Sequence, residues 1–540
     1  MYISNKIIKW ETMATCSQHN CQLQNYKNFD KCILHCPKTT DYQDAKLDGS
    51  LVLFYNALLE ETINQVSTNN TISAVEKLKG FLMGKNQDFY KEKQLKNRLI
   101  TLAGIHFPER RSDYFDYEQF LGKIGKIHFI KCEYYLNTLE LKESYVLFDE
   151  CKFNEDWSVY DNKVLENASG SSYLRCIFEQ EVEVRYWSDS ESEENQKKNK
   201  IVVFENDLFA NCIFNGSILL EKTIFEGQVF KFAKGMEPNF QSKIDKIEIL
   251  GCTFNSRFIF NNYDVKKFTC HNSIFKEKFE FKGREINFFE ILNTDFLKVA
   301  DLFGNRFINF IMEKCNFEDV AVFGNCKFGE ENNKESDSKK SDITTFKFIV
   351  FLDFVNLSNS IFFNGLDIET VSFKENANFL KTKINPKNTS RDTFRIVKNI
   401  FDKVGNYIEA NTFYQFEMKS YLKELFDEKK YLKMLIPLLD WIVSDFGQSY
   451  LRPILGIILV GVLHCLIQLG FENNSLYKIF TPLNSFFSYS THLLNNFAKN
   501  ILPLSKFLKD GMEFLSLLFY IFYSSLFWQI IRVFKRHTKR

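Results

Sequence analysis

The chain has 540 residues, 25% of them charged, and a formal net charge of +1. That length exceeds a single hydrophobic core and implies several folding units, while the balanced charge excludes the strongly acidic or basic surface that nucleic-acid partners or mimics need. No phosphate loop, dinucleotide fingerprint, His-Glu-x-x-His or Gly-x-Ser-x-Gly occurs in it, so an enzyme is the least supported class and no small-molecule substrate is expected. Residues 1–12 carry lysines but no apolar core of leader length, and the thirteen cysteines are expected in a reducing cytoplasm.

The first informative segment is Cys16-x4-Cys21-x10-Cys32-x2-His35, followed by Cys36 and Pro37. Four soft or borderline donors in two close pairs suit tetrahedral Zn2+, because each pair occupies a turn and the two turns can converge. The segment resembles the short N-terminal zinc-binding knuckle of many bacterial proteins. That resemblance implies Cys16, Cys21, Cys32 and His35 as ligands within residues 1–47, with Cys36 a substitute for His35. With all four positions filled by protein, the ion would be structural. The competing reading is a tail of reduced, unliganded cysteines.

Residues 48–102 change to a helical pattern. Leu51, Phe54, Tyr55, Leu58 and Leu59 share one face, and Val75, Leu78, Phe81 and Leu82 form a second amphipathic run. Helices placed here either cover the apolar end of the adjoining unit or form an independent small domain.

From residue 129 to 379 a large apolar residue recurs at intervals of five, most cleanly at Phe204, Phe209, Phe214 and Leu219. Neither a strand of period 2 nor a helix of period 3.6 keeps such residues on one side, so the backbone must turn a corner every few residues. A cysteine stands two places before the aromatic at Cys132/Tyr134, Cys151/Phe153, Cys176/Phe178, Cys212/Phe214, Cys252/Phe254, Cys315/Phe317 and Cys326/Phe328, with Thr or Ser there before Phe225, Phe275 and Phe296. Chance would place roughly two such cysteine pairs, so the spacing is a pattern and not a by-product of composition.

On these residues the stretch resembles the pentapeptide-repeat family. The resemblance implies a mainly β fold: a right-handed quadrilateral β-helix over residues 103–385, capped by α-helices, with small and large residues stacked inside. A Phe-rich β-sandwich is the alternative. Residues 188–200 and 330–342 hold almost no apolar side chain and read as solvated loops leaving the stack.

Residues 390–446 return to helix. Ser390 or Asp392 can cap a first helix, Gly405-Asn406 breaks it, and a second comes after, giving an αα-hairpin. Residues 431–446 then form an amphipathic stretch that either lies on a membrane surface or packs on the hairpin. In the last region, 447–540, two stretches long enough to cross about 30 Å of hydrocarbon predict spans at 453–471 and 514–533. Basic residues crowd before the first and after the second, so both termini are expected in the cytoplasm, in a bacterial inner membrane. The segment between them is apolar in places and reads as interfacial or re-entrant.

Two functions are compatible with this plan. One is a membrane-anchored, non-enzymatic scaffold that binds a protein partner or itself. The other is a two-span pore or transport module regulated by a cytosolic β-helix, although no potassium-type filter sequence occurs between the spans.

Overall fold

The computed structural model describes residues 15–18, 21–67, 72–84, 95, 97–141, 143–167, 169–185, 201–232, 242–331, 343–473 and 513–538. The loops expected at 188–200 and 330–342, apart from 330–331, and the segment between the expected spans lie outside these residues. The chain divides into two compact units, Met1–Phe363 with Thr370–Glu375, and Asn364–Glu369 with Asn376–Arg540.

The first unit begins with helices α1 (Tyr42–Leu47), α2 (Ser50–Val66) and α3 (Ile72–Leu82). Asp41 caps α1 by accepting from the Asp44 amide. The apolar face read in the sequence of α2 is the buried one: Leu51, Phe54, Tyr55, Leu58 and Leu59 are all covered. Phe54 meets Phe107 and Tyr117 edge-on at 5.9 and 5.7 Å, which packs the helix against α4 (Tyr117–Leu121) and the first strands.

Parallel strands in stacked sheets come next. Leu99–Ala103, Lys126–Ile130, Tyr145–Asp149, Ser171–Leu174 and Asp207–Ala210 lie side by side in one sheet, and His106–Phe107, Glu133–Tyr134, Lys152–Phe153, Ile177–Phe178 and Ile213–Phe214 in a second. Further along, Ile247 pairs with Phe268, Phe268 with Phe289 and Phe289 with Phe310, so 21 residues return the chain to the neighbouring place in the same sheet. Parallel partners need such a crossover, and here the crossover itself supplies the strands of the other sheets.

The inward side chains stack in register. Rings of Phe254, Phe275, Phe296 and Phe317 succeed one another at 4.6, 5.1 and 4.7 Å with planes within 5°. Phe107, Tyr134, Phe153 and Phe178 form a second column at 4.9, 4.9 and 4.7 Å. These separations lie close to the spacing of neighbouring strands, about 4.7–4.9 Å, so the ladder of backbone hydrogen bonds sets the ring stacking. Between columns the rings meet edge-on, as Phe275 and Phe279 do at 66°, the other favourable arrangement of aromatic quadrupoles.

Both members of all seven Cys-x-aromatic pairs are buried. The thiols reach the carbonyl of the preceding circuit: Cys132 Sγ donates to Leu102 O at 3.2 Å, Cys176 to Phe148 O at 3.3 Å and Cys326 to Leu302 O at 3.1 Å. Thr223 and Ser360 hydroxyls do the same to Val184 O and Phe323 O. A small residue with a weak donor is therefore what this position selects, and burial pushes the thiols of Cys252, Cys315 and Cys326 up to about 12, which leaves them inert.

The corners depend on a backbone feature with no single residue type. Lys131, Glu150, Arg175, Asn211, Lys222, Asn272, Asn293, Lys314 and Asn325 all have φ between 48° and 56°, each immediately before the small residue of a pair. Left-handed backbone costs a side-chain-bearing residue about 1–2 kcal/mol. Each is held there by its amide, as Lys131 N donates to Asp149 O and Lys314 N to Lys347 O, both at 2.9 Å. Replacing Lys314 (φ 55°) with glycine is accordingly expected to raise stability by up to about 1 kcal/mol, measurable as a higher denaturant midpoint at unchanged slope.

The period of five does not hold on every side. Lys243–Leu250, Asp264–His271, Glu285–Leu292 and Arg306–Glu313 are eight-residue strands. In the first, Ile244, Ile247 and Ile249 point inward, so a step of three is followed by one of two. One long strand there replaces the corner that the spacing implied.

In the second unit α5 (Arg391–Lys403), capped by Ser390, pairs with α6 (Tyr407–Asp427), capped by Asn406. Gly405 at φ 74° provides the break between them. Phe394, Val397, Phe401 and Phe413 are buried in this hairpin, and Glu417 sits between Arg395 at 3.2 Å and Lys398 at 2.8 Å. Helices α7 (Tyr431–Ser444), α8 (Leu451–Asn473) and α9 (Glu513–Thr538) complete the unit among the described residues. Two windows, Leu451–Gly470 and Leu517–Arg536, are long and apolar enough to cross a membrane, and 33% and 28% of them is buried. They pack on each other through Ile457, Phe519, Tyr523 and Leu526, and Gly456 lets the Leu526 side chain approach so closely that an added Cβ would lie 3.1 Å from it.

Candidate metal centre

The N-terminal segment folds back on itself through short turns. Thr15 bridges Gln24, Cys16 N donates to Leu23 O at 2.9 Å, and Cys21 N donates to Gln18 O at 3.1 Å. A second turn brings the His35 and Cys36 amides onto Cys32 O at 3.1 and 2.9 Å. The two turns face each other, and the donor atoms of Cys16, Cys21, Cys32 and His35 all lie within 4.8 Å of one another. Cys36 is buried but outside this group.

These four residues fit a tetrahedral ion. Zn–S bonds of about 2.3 Å and Zn–N bonds of about 2.0–2.1 Å require donor separations of roughly 3.6–3.8 Å. Cys21 and Cys32 Sγ are 3.7 Å apart, and Cys16 Sγ is 3.6 Å from His35 Nδ1. Cys32 Sγ lies closer to Nδ1, at 3.1 Å. The opposite ring nitrogen, Nε2, is 3.1 Å from Ala103 O and donates to it, which fixes the tautomer that leaves Nδ1 as a donor to metal.

Burial and nearby amide hydrogens set how readily the thiols ionise. Burial pushes the Cys32 thiol up to about 12, against the pull of the Leu34 and His35 amides, and burial raises Cys21 as well. At Cys16 burial also opposes ionisation, but the Cys32 and Gln18 amides outweigh it and its pKa falls. Cys32 N donates to Cys16 Sγ at 3.2 Å. A pocket lined with amide hydrogens favours thiolates, yet three thiolates in partly buried surroundings are too costly without a counter-ion. Burial also lowers the His35 pKa, keeping the ring neutral and able to ligate.

Spacing indicated the four donors, but the groups that tie them to the first parallel strands lie far away in sequence. His106 N donates to Leu34 O at 2.9 Å, and Lys38 Nζ donates to His106 O at 2.7 Å and Cys36 O at 3.3 Å. Lys38 is pushed down to about 8 by burial, and its ammonium lies 4.9 Å from the centre of the Phe54 ring. Beside this, the Gln65 amide group both accepts from Thr101 N at 2.8 Å and donates to Thr101 O at 2.9 Å, as a neighbouring strand would. Comparisons with family models, curated proteins and solved structures return no match.

Proposed function

We propose that the chain is a membrane-anchored, non-enzymatic scaffold, a right-handed quadrilateral β-helix of pentapeptide-repeat type held at the cytosolic face of a bacterial inner membrane. The observation that carries the anchor is the apolar surface of the second unit. Leu432, Ile436 and Leu439 of α7 are 86%, 79% and 59% exposed, and Leu455, Leu459 and Phe522 of α8 and α9 are 62%, 67% and 57% exposed. Apolar area of this extent on three successive helices is what a bilayer covers, and in this reading α7 lies in the interface.

Basic residues support a common side for both ends. Arg452 at the start of α8 donates to Trp441 O at 3.0 Å, and Arg532 near the end of α9 reaches Asp440 on the same α7 helix. The positive-inside tendency then puts that side in the cytosol. In this reading Cys16, Cys21, Cys32 and His35 bind one structural Zn2+ that closes the first circuit of the stack. The repeat body, whose interior is filled with rings, offers its outer rows to a protein partner or to another copy.

The pore reading is less well supported by the polar groups between the spans. His464 and Gln468 on α8 hydrogen-bond to each other at 3.1 Å, and His464 stacks on Phe519 at 4.2 Å. Those groups serve helix contacts.

Photo-crosslinking in intact cells tests the scaffold. A cross-linker placed at outward Lys267, Phe288 or Asn309 should give one discrete adduct of constant mass, and its absence from every outward position would contradict the proposal.

A further inference from the structure

Helices α6, α7, α8 and α9 line an open-sided cavity of ≈ 740 Å³. That volume is within the range, about 300–1,000 Å³, of sites that hold small molecules. Its wall is apolar, with Ile436, Leu455, Leu459 and Phe522 open along its rim, while Asp440, Gln529 and Arg532 gather at one end. The long apolar wall suits an acyl chain. The polar end must then meet a headgroup.

Arg532 is not used up by its partner. Its Nη1 donates to both Asp440 oxygens, at 2.9 and 3.0 Å, while among the described residues Nε and Nη2 make no hydrogen bond, and the side chain is 29% exposed. A guanidinium edge with two parallel donors matches a phosphate. One turn before it, Gln529 Oε1 is buried without a hydrogen-bond partner, which a headgroup hydroxyl would satisfy.

The surroundings carry the same sign. Arg536 lies 4.4 Å above the ring of Tyr414, another lining residue, and Arg452 and Lys419 pair with Asp445 at 3.5 and 3.3 Å. Among the described residues, Lys419 and Arg452 pair with Asp445 and Arg532 with Asp440, while Arg536 beside them donates to Phe446 O, so these ion pairs set three cations and a neighbouring fourth against two carboxylates. An excess of positive charge at the edge of an acyl-sized cavity complements an anionic lipid.

We infer that this cavity binds one anionic phospholipid, its acyl chain along Leu455, Leu459 and Phe522 and its phosphate on the free edge of Arg532. The inference rests on the membrane reading above and adds a specific lipid site to it.

Native mass spectrometry of the full chain, released from mild detergent with equal phosphatidylglycerol and phosphatidylcholine, tests it. The wild-type chain should retain one phosphatidylglycerol. The paired variant Arg532→Gln with Asp440→Asn should lose about tenfold in that preference, the loss of one charge-assisted hydrogen-bonded contact. Leu459→Trp, at an exposed position, should fill the cavity and abolish retention with unchanged thermal melting. Equal retention of the two lipids, an unaltered preference in the paired variant, or displacement of the lipid by millimolar inorganic phosphate would overturn the inference. Carbonate extraction of the same preparations reads insertion separately: a chain that stays inserted without lipid preference defeats only this inference, and a chain that is extracted defeats the anchor itself.

Discussion

Phe275→Ala is expected to destabilise the first unit by about 3–5 kcal/mol, the range for deleting a buried ring from a core that cannot collapse around the void. Phe275 is 1% exposed and lies between Phe254 at 4.6 Å and Phe296 at 5.1 Å, with Phe258 and Phe279 edge-on at 5.5 and 4.8 Å. Its neighbours above and below are fixed by backbone pairing, Phe254 with Phe275 and Phe275 with Phe296, so the strands cannot close the gap without breaking the ladder. The cost therefore sits at the upper part of the transfer-plus-cavity range. Phe288, on the outer side and partly covered by Lys267, whose ammonium is 5.0 Å from the centre of its ring, provides the control. Phe288→Ala should move stability by no more than about 0.5 kcal/mol. Denaturant unfolding of the two variants measures the difference.

Removing the metal should have the second large effect. Purified chain under reducing conditions is expected to carry one Zn2+, and Cys32→Ser to carry none. An ion held at a thousandfold above its dissociation constant contributes about 4 kcal/mol to the folded form, and chelation forfeits it. The loss has a particular location, because His35 Nε2, Leu34 O and Lys38 Nζ are bonded to Ala103 O, His106 N and His106 O. Freed of the ion, residues 16–36 lose their fold and those strand-edge groups lose their partners, which leaves a parallel edge open to pairing with another chain. Calorimetry with and without chelator should show a lowered first transition, and light scattering should show concentration-dependent association. Acid should act in the same direction. The Cys32 thiol, at about 12 without an ion, must lose its proton to ligate, so metal affinity falls as pH falls and proton release accompanies binding.

Some of this organisation is legible in the chain because one physical demand selects one residue class. The position two before a ring faces inward and meets a carbonyl of the previous circuit, so Cys, Ser and Thr recur there. The four metal donors are legible for a similar reason, since two turns of fixed length bring them together. The left-handed corners are hidden because Lys131, Glu150, Arg175 and Phe348 occupy them, where inter-circuit hydrogen bonds impose what glycine would otherwise signal. The eight-residue strands are hidden because Ile244, Ile247 and Ile249 mix steps of three and two. Ala103, Lys38 and His106 support the metal centre across gaps of 68 residues, and Asp440 meets Arg532 across 92. Contacts at such range leave no spacing to read.

In the function proposed above, the second unit holds the chain in a bilayer. Alkaline carbonate extraction of membranes from expressing cells, followed by protease treatment of sealed inside-out vesicles, tests this directly. The expected result is a chain that sediments with the membranes, is digested from the cytosolic surface, and leaves protected fragments containing Leu451–Gly470 and Leu517–Arg536. Recovery of the intact chain in the carbonate supernatant would contradict it.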